Sequence, residues 1–565
     1  MSATNAVADG IAAGSAEHRK LRRVVFGTSA GTIFEAYDFI LFGSLAPLIS
    51  RQFFAGVNET AGFIFALLTF AAGFAVRPFG ALLFGRIGDR TGRKKAFLIT
   101  ISMMGLATFG IGLLPTYATA GIVAPILLIA LRIVQGLAYG GEYGGAVVYT
   151  AEHSPNGRRG LYVGWIQTAA GFALFMSFLV IFVTRTIVGE EAFEAWGWRI
   201  PFLISIGLLV ISLWIRLTLE ESPLFRKMIE EGRASKAPLK EAFLEWRHLK
   251  LVLAVLLGLM SVQGVLFYTA HFYSQFFLTE ILKVEGATVT LVMMTVTAIS
   301  VLLYVFFSWL SDTIGRKPII LAGGVLAVVT AFPLFHALTE AANPAVAAAR
   351  ASSPVTVIAD PSECSLQFDP VGRAAFLSSC DIAKSTLARR GIGYDNAEGP
   401  PGAPAVILVG ERRIDSIDGR GLDDGALAAA RGAFEARLAE ALADAGYPER
   451  ADSAAVDVPL VMLLILLLVL FAVMVFAPMA AMAIEVFPTR IRYSALSLPY
   501  HIGSGWFGGF LPAIAFAMVA ATGDIYFGLW YPVIVTAFGV LVLAFLLPET
   551  KHRDIHRLGS DPLDP

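Results

Sequence analysis

The chain has 565 residues, of which 56% are hydrophobic and 15% charged, and its formal net charge is −1. So apolar a composition argues against a soluble enzyme of this length, and a chain without a basic excess has nothing with which to release counterions from nucleic acid. A mean hydropathy of +0.70 points to a protein solvated largely by lipid.

Residues 1–23 form a polar tail with Lys20, Arg22 and Arg23 and no hydrophobic core of its own, which argues against a cleaved signal peptide. Six apolar runs of roughly spanning length fill residues 24–219, at about 24–49, 62–84, 96–115, 120–150, 161–185 and 201–219. A polar linker covers 220–249. Three further runs lie within 250–339 (about 250–278, 288–311 and 318–338) and three within 458–548 (about 458–483, 494–519 and 528–548), before a tail at 549–565. Lys and Arg concentrate in the tail, in the second-to-third connection (Arg86 to Lys95) and in the linker, so both termini are expected in the cytoplasm.

Residues 340–457 break the apolar pattern with a soluble composition. Two strand-like runs, Val355–Ala359 and Ala405–Val409, and a helical pattern from Asp423 to Ala445 predict a small α/β unit on the extracytoplasmic side. The expected fold is an all-α membrane protein with twelve transmembrane helices in two six-helix halves, carrying this soluble α/β insert between helices nine and ten. Both cysteines, Cys364 and Cys380, fall in the insert; a disulfide in an oxidising compartment fits this, two free thiols being the alternative.

The connection Gly85-Arg86-Ile87-Gly88-Asp89-Arg90-Thr91-Gly92-Arg93-Lys94 recurs as Ser308-Trp309-Leu310-Ser311-Asp312-Thr313-Ile314-Gly315-Arg316-Lys317, each joining two apolar runs. Duplicated membrane halves are the architecture of secondary transporters. These loops, together with Arg132-x-x-Gln135-Gly136, Gly197-Trp198-Arg199-Ile200-Pro201-Phe202, Glu485 to Tyr493 and the terminal Pro548-Glu549-Thr550, resemble the major facilitator superfamily across all the helices but not the insert. Glu35-Ala36-Tyr37-Asp38-Phe39 resembles its metabolite:proton symporter family, whose members carry organic acids, shikimate or zwitterionic osmolytes.

The resemblance, with the duplication, implies a gate in which Asp89, Arg90, Arg93, Asp312 and Arg316 engage Glu152, Arg158, Arg159, Glu485, Arg490 or Arg492 near helix ends; the bland alternative is that these charges only enforce topology. Ser308, Ser311 and Thr313 replace residues of the first copy, so the second is expected to act more weakly.

Charges inside the apolar runs are costly, about 2.5–3.5 kcal/mol each even on insertion scales, so they should face the bundle interior and find one another. Glu35 and Asp38 share a helical face, and pairing of either with Arg132 is expected, with Glu142 a further proton-coupling candidate. The bland alternative is a static buried pair. Tyr37, Arg77, Arg132, Gln135, Tyr139, Gln167, Gln263 and His271 are the substrate-binding candidates, Gln263 and His271 sharing one helical face; interhelical hydrogen bonding explains each about as well.

No metal, cofactor or catalytic constellation is expected, since His-Glu-x-x-His and phosphate-loop patterns are absent from the sequence. The expected activity is proton-coupled symport of a small organic acid across the inner membrane of a bacterium, with uptake of a betaine-like osmolyte as the first alternative and a membrane sensor as the second. The partners are the organic anion, the proton and the lipid bilayer; a periplasmic partner for the insert is left open.

Overall fold

The computed structural model describes the chain apart from residues 1–31, 35, 39, 56–58, 92, 142–143, 145–146, 149, 152–153, 156, 218–237, 366–376, 489–490, 554 and 556–565. In chain order the main helices are α1 (Thr32–Ser44 then Ala46–Phe53), α2 (Gly62–Phe84), α3 (Arg93–Leu113), α4 (Val123–Gly140), α5 (Arg159–Val188), α6 (Glu190–Gly197 then Arg199–Trp214), α7 (Trp246–Ile281), α8 (Gly286–Ile314) and α9 (Arg316–Ala342). The insert contributes α10 (Pro344–Ser352), α11 (Ser379–Arg389) and α12 (Asp424–Asp444), and α13 (Val458–Val486), α14 (Ala495–Thr522) and α15 (Phe527–Leu546) complete the bundle.

Among the described residues nine of these helices are long and apolar enough to cross a membrane; α1 and α6 pass as pairs bent by 62°, and the apolar part of α3, Leu98–Leu113, is shorter. Proline accounts for local breaks. Pro47 sits in the first turn after the α1 bend, and Pro333, Pro478 and Pro499 lie inside helices whose neighbours can satisfy the amides they release. α7 and α14 contain π-helical stretches, Thr269–Tyr273 and His501–Gly508 among them, a geometry frequent where helices serve function.

Small residues set the closest approaches. A Cβ on Gly136 would strike the Gly73 carbonyl of α2 and one on Gly140 the Arg77 carbonyl, so the glycines of the fourth apolar run let α2 and α4 touch backbone to backbone. α5 packs along α8, bringing helices from before and after the linker together, and α9 packs along α13.

The insert is a four-stranded sheet in the order β2-β1-β3-β4, with β1 Val355–Ala359, β2 Asp395–Glu398, β3 Val406–Val409 and β4 Arg412–Asp415. β1 and β2 are parallel and joined through α11; β1/β3 and β3/β4 are antiparallel, with Ile407 opposite both Val357 and Ile414. Val355, Val357 and Ala359 alternate inward onto Ile382 and Leu387 of α11 and Phe434, Leu438 and Leu442 of α12. Asp423 accepts the Ala426 N–H at 2.8 Å and starts α12. β2, Asp-Asn-Ala-Glu with all four residues exposed, had no apolar alternation by which sequence could mark it.

Cys364 and Cys380 are joined by a disulfide with Cα atoms 5.2 Å apart, closing the turn after β1 onto the start of α11. The insert begins at Asn343 and not at Glu340, because α9 continues to Ala342. Its two ends adjoin: Asp457 N–H donates to the Ala341 carbonyl at 2.9 Å.

Candidate functional site

Polar side chains cluster first in the middle of the bundle. Arg132 of α4 is fully buried; its Nη1 donates to Gln135 Oε1 at 2.8 Å and its Nη2 to the Phe70 carbonyl of α2 at 3.1 Å. The i, i+3 spacing that puts Arg132 and Gln135 on one face is what allows the first bond. Gln135 Nε2 donates in turn to Thr108 Oγ1 of α3 at 2.7 Å, and the buried Asp38 carboxyl of α1 lies against the same hydroxyl.

Of the two expected pairings of Arg132, the one with Asp38 is not formed: the guanidinium is turned toward the α2 backbone and stacks over the Phe42 ring, 4.6 Å from its centroid, while Thr108, whose hydroxyl donates to the Met104 carbonyl at 3.0 Å, lies between Gln135 and Asp38. Asp38 Oδ1 has no hydrogen-bond partner among the described residues. Thr108 was missed by sequence reasoning, since one threonine in an apolar run carries no signal. Glu35 and Glu142 lie outside the described residues.

Arg77 of α2 forms the second cationic centre. Its guanidinium lies between the rings of Phe74 and Tyr139, 4.1 and 4.0 Å from their centroids, and is within electrostatic reach of Arg132, Tyr268 and Tyr500. Two buried cations thus face one aromatic interior, walled further by Phe70, Tyr268 and Phe272 with centroids 5.3 to 6.1 Å apart. His501, fully buried in the π-helical stretch of α14, also lies within reach of Arg77 and was missed by sequence reasoning.

His271 and Gln263 are both fully enclosed on α7. His271 is 3.0 Å from the Phe267 carbonyl through Nδ1 and stacks on the Phe267 ring, while its Nε2 and Gln263 Oε1 have no hydrogen-bond partner among the described residues. Gln167 of α5 donates to the Phe476 carbonyl of α13 at 3.3 Å. Tyr37 points away from this interior: its hydroxyl donates to the Pro201 carbonyl of α6 at 3.0 Å, which is interhelical bonding.

A second cluster lies at the end of the bundle opposite the insert. Arg159 Nη1 donates to Glu485 Oε1 at 2.8 Å, with both side chains almost completely buried. Arg316 Nη2 reaches Asp312 Oδ1 at 2.8 Å and Glu485 Oε1 at 3.2 Å. Asp312 spans to α5 as well, accepting the N–H of Gly160 and of Leu161, both at 2.8 Å, so its carboxylate caps that helix start where the dipole favours negative charge. Thr550 donates to Glu485 Oε2 at 2.6 Å, and Glu549 accepts backbone N–H groups of Arg316, Lys317, Thr550 and Lys551.

Of the two arginines expected as partners at this end, Arg159 engages Glu485 whereas Arg158 is exposed. The second loop copy is fully wired: Ser308 and Ser311 fit because Gly164 and Gly160 of α5 lie against their side chains, so the clearance lost on α8 is supplied by the partner helix. Pro548-Glu549-Thr550, a recognisable motif without an assigned role, packs into this cluster. Glu152 and Arg490 lie outside the described residues, as do the side chains of Asp89, Arg90 and Arg93.

At the insert end, Phe63 of α2 packs edge-on between Phe276 of α7 and Phe516 of α14, with centroids 5.4 and 5.0 Å away. Among the described residues the polar interior is thus flanked by an ion cluster at one end and by aromatic rings at the other.

A family model described as Major Facilitator Superfamily matches residues 28–358, and one described as Sugar (and other) transporter matches 444–560. The chain is 37% identical over 333 residues to the shikimate transporter of Escherichia coli (strain K12), covering 56% of this chain and 73% of that protein. To the proline/betaine transporter of the same strain it is 37% identical over 328 residues, covering 56% of this chain and 64% of the relative, slightly under two thirds of its length. Among solved structures it resembles the proton:xylose symporter XylE bound to 6-bromo-6-deoxy-D-glucose, with TM-score 0.58, 16% identity and 95% and 97% of the two chains covered. It also resembles the inward-open xylose transporter XylE from E. coli, with TM-score 0.54, 16% identity and 95% and 99% covered. At that identity the structural likeness concerns the fold alone. The first family model spans more than half of the chain and the shikimate transporter is matched over most of its length, so the protein belongs to the major facilitator superfamily of membrane transporters.

Proposed function

We propose that the protein is a proton-coupled symporter of a small organic acid, a dicarboxylate, keto acid or shikimate-like anion, working by alternating access in the inner membrane of a bacterium. The observation that carries this reading is the pair of buried guanidinium groups, Arg77 and Arg132, facing one aromatic interior, with a hydrogen-bond chain from Arg132 through Gln135 to Thr108, beside the buried Asp38 carboxyl. An anion between two arginines gains charge-assisted, bidentate hydrogen bonds, and the rings exclude water that would weaken them.

Asp38 supplies the coupling. A carboxyl wholly withdrawn from water carries a charge only when that charge is matched, so its proton and the orientation of Gln135 and Arg132 exchange together through Thr108. The ion cluster around Glu485 is the cytoplasmic gate, and the aromatic closure at Phe63 the external one. Nine spans, two bent pairs and the shorter α3 amount to the twelve helices this mechanism uses, with both termini cytoplasmic and the insert outside.

One observation favours a zwitterionic osmolyte instead. The aromatic walls can hold a quaternary ammonium by cation–π contact, and relatives matched at similar identity are named proline/betaine transporters. Uptake by proteoliposomes under an imposed inward proton gradient, screened over dicarboxylates, keto acids, shikimate-like acids, monocarboxylates and betaines, separates the two. Accumulation of an organic acid that collapses with an ionophore supports the proposal; accumulation of betaine alone transfers it to the osmolyte. Uptake indifferent to the gradient removes proton coupling.

A further inference from the structure

The two family matches leave residues 359–443, most of the insert, uncovered. Its placement in the fold nevertheless gives it a job. α11 packs against α2 and α14, and the loop that follows crosses directly above the Phe63–Phe276–Phe516 closure. Phe63, Ile281, Gly391, Ile392, Tyr394 and Phe516 line one small cavity of about 60 Å³ between loop and bundle, so the loop is a roof over that closure with little space beneath.

The roof is fastened unevenly. Tyr394 N–H donates to the Gly523 carbonyl at 3.0 Å and Asn396 Nδ2 to the Thr522 carbonyl at 2.7 Å, both at the end of α14. Ala451 N–H donates to the Lys283 carbonyl at 3.2 Å and Asn343 Nδ2 to the Leu282 carbonyl at 3.0 Å, just beyond α7. Gly391, at φ +70°, lies so close to the Ile281 carbonyl that any Cβ would collide with it, and the Tyr394 ring likewise lies on Gly523, at φ +81°. Covalently, too, the insert hangs from α9 and α13. Toward the amino-terminal helices, by contrast, its contact beneath the roof among the described residues is apolar packing around Phe63.

We propose that the insert is a lid on the external gate. It rides with α7 and α14, to which hydrogen bonds fix it, and must come off α2 whenever the external mouth opens; among the described residues its contacts on α2 are apolar, and such contacts separate and remake at low cost. The closed state seals the pathway twice, by the aromatic closure and by the roof above it. The lifting step rests on the alternating-access reading of the protein; the roof itself does not.

The test places a reporter cysteine, Ala520→Cys, under the roof on α14, where residue 520 is buried in the same cavity. The native cysteines are bonded to each other and leave the reporter alone to react. Because the ends of the insert adjoin, residues 344–456 can be replaced by a short Gly–Ser linker. In the full-length chain a membrane-impermeant maleimide added from outside should label the reporter slowly, and several-fold faster after excision. Tyr394→Ala, which keeps the insert but removes the ring lying on Gly523, should accelerate labelling in the same direction. Equal rates in all three proteins overturn the lid. For lifting, Phe63→Cys with Ala388→Cys is compared with itself: oxidative cross-linking should abolish the uptake that the reduced double variant shows, and reductant should restore it. Uptake undiminished by the cross-link overturns lifting. If the unaltered protein accumulates none of the screened acids, the transport reading fails while the labelling comparison still decides the roof.

Discussion

Arg159 at the start of α5 and Glu485 at the end of α13 meet at 2.8 Å with neither side chain open to solvent, joining residues 326 positions apart on opposite sides of the linker. Arg316 and Thr550 share the same carboxylate, so Glu485 is the hub of the cluster. Removing one partner of a buried ion pair typically costs about 3–5 kcal/mol, because the other charge is left uncompensated. Glu485→Gln is expected to destabilise the closed end strongly. Cysteines placed beside Arg159 should then label faster from the cytoplasmic side while transport slows; unchanged labelling would remove Glu485 from the gate.

Asp312→Asn tests the second loop copy. The carboxylate accepts from two backbone N–H groups of α5 and from Arg316, and hydrogen bonds to a charged group contribute about 1.5–3 kcal/mol each. Loss of even one such contribution moves a two-conformer balance by roughly tenfold. Transport should fall markedly with membrane assembly intact. Near-normal uptake would mean that the cap fixes packing only.

Arg132→Lys should lower uptake severely. An ammonium cannot reach Gln135 Oε1 and the Phe70 carbonyl with separate nitrogens held in one plane, as the guanidinium does. Thr108→Val, which keeps shape but breaks the hydrogen-bond chain, should leave substrate binding in place and uncouple uptake from the proton gradient. Gradient-driven uptake in Thr108→Val would exclude that chain from coupling.

The tail offers a pH test outside the membrane. Partial burial pushes the Glu549 carboxyl up, but the N–H groups of Arg316, Lys551, Lys317 and Thr550 outweigh it and hold the group below the ordinary carboxylate range. A depressed folded-state value means that the stabilisation is complete above the unfolded value of about 4.3 and is lost as pH falls through the lower folded one. Docking of Pro548 to Lys551 should therefore persist at neutral pH and loosen only in acid. Protease cleavage of the tail, measured against pH, should rise below about pH 4, and in Glu549→Gln should be high throughout.

The disulfide belongs to the insert's stability. Cys364 and Cys380 should resist maleimide until reductant is added, and closing a loop of this size contributes on the order of 3 kcal/mol in the chain-entropy model. The double Cys→Ser variant should be cleaved faster between about Ala359 and Ala383 while uptake largely survives. Free thiols in unreduced protein would contradict the bond.

Composition and periodicity by themselves determined the membrane class, the presence of many apolar helices and the small insert with its sheet, because apolar length and alternation are local properties that lipid and core burial impose directly. Val355–Ala359 and the helix following Asp423 were legible for that reason, whereas the polar edge strand Asp395–Glu398 was not: its place comes from pairing with β1. Tertiary structure alone decided the partners. Arg132 turns to Gln135 and the Phe70 carbonyl, Tyr37 to Pro201, Arg159 and not Arg158 meets Glu485, and the glycines of α5 make room for the two serines that replace glycines in the second loop copy. Which groups meet across a bundle depends on helix rotation and approach, and those are fixed by packing over hundreds of residues, not by any stretch of sequence read on its own.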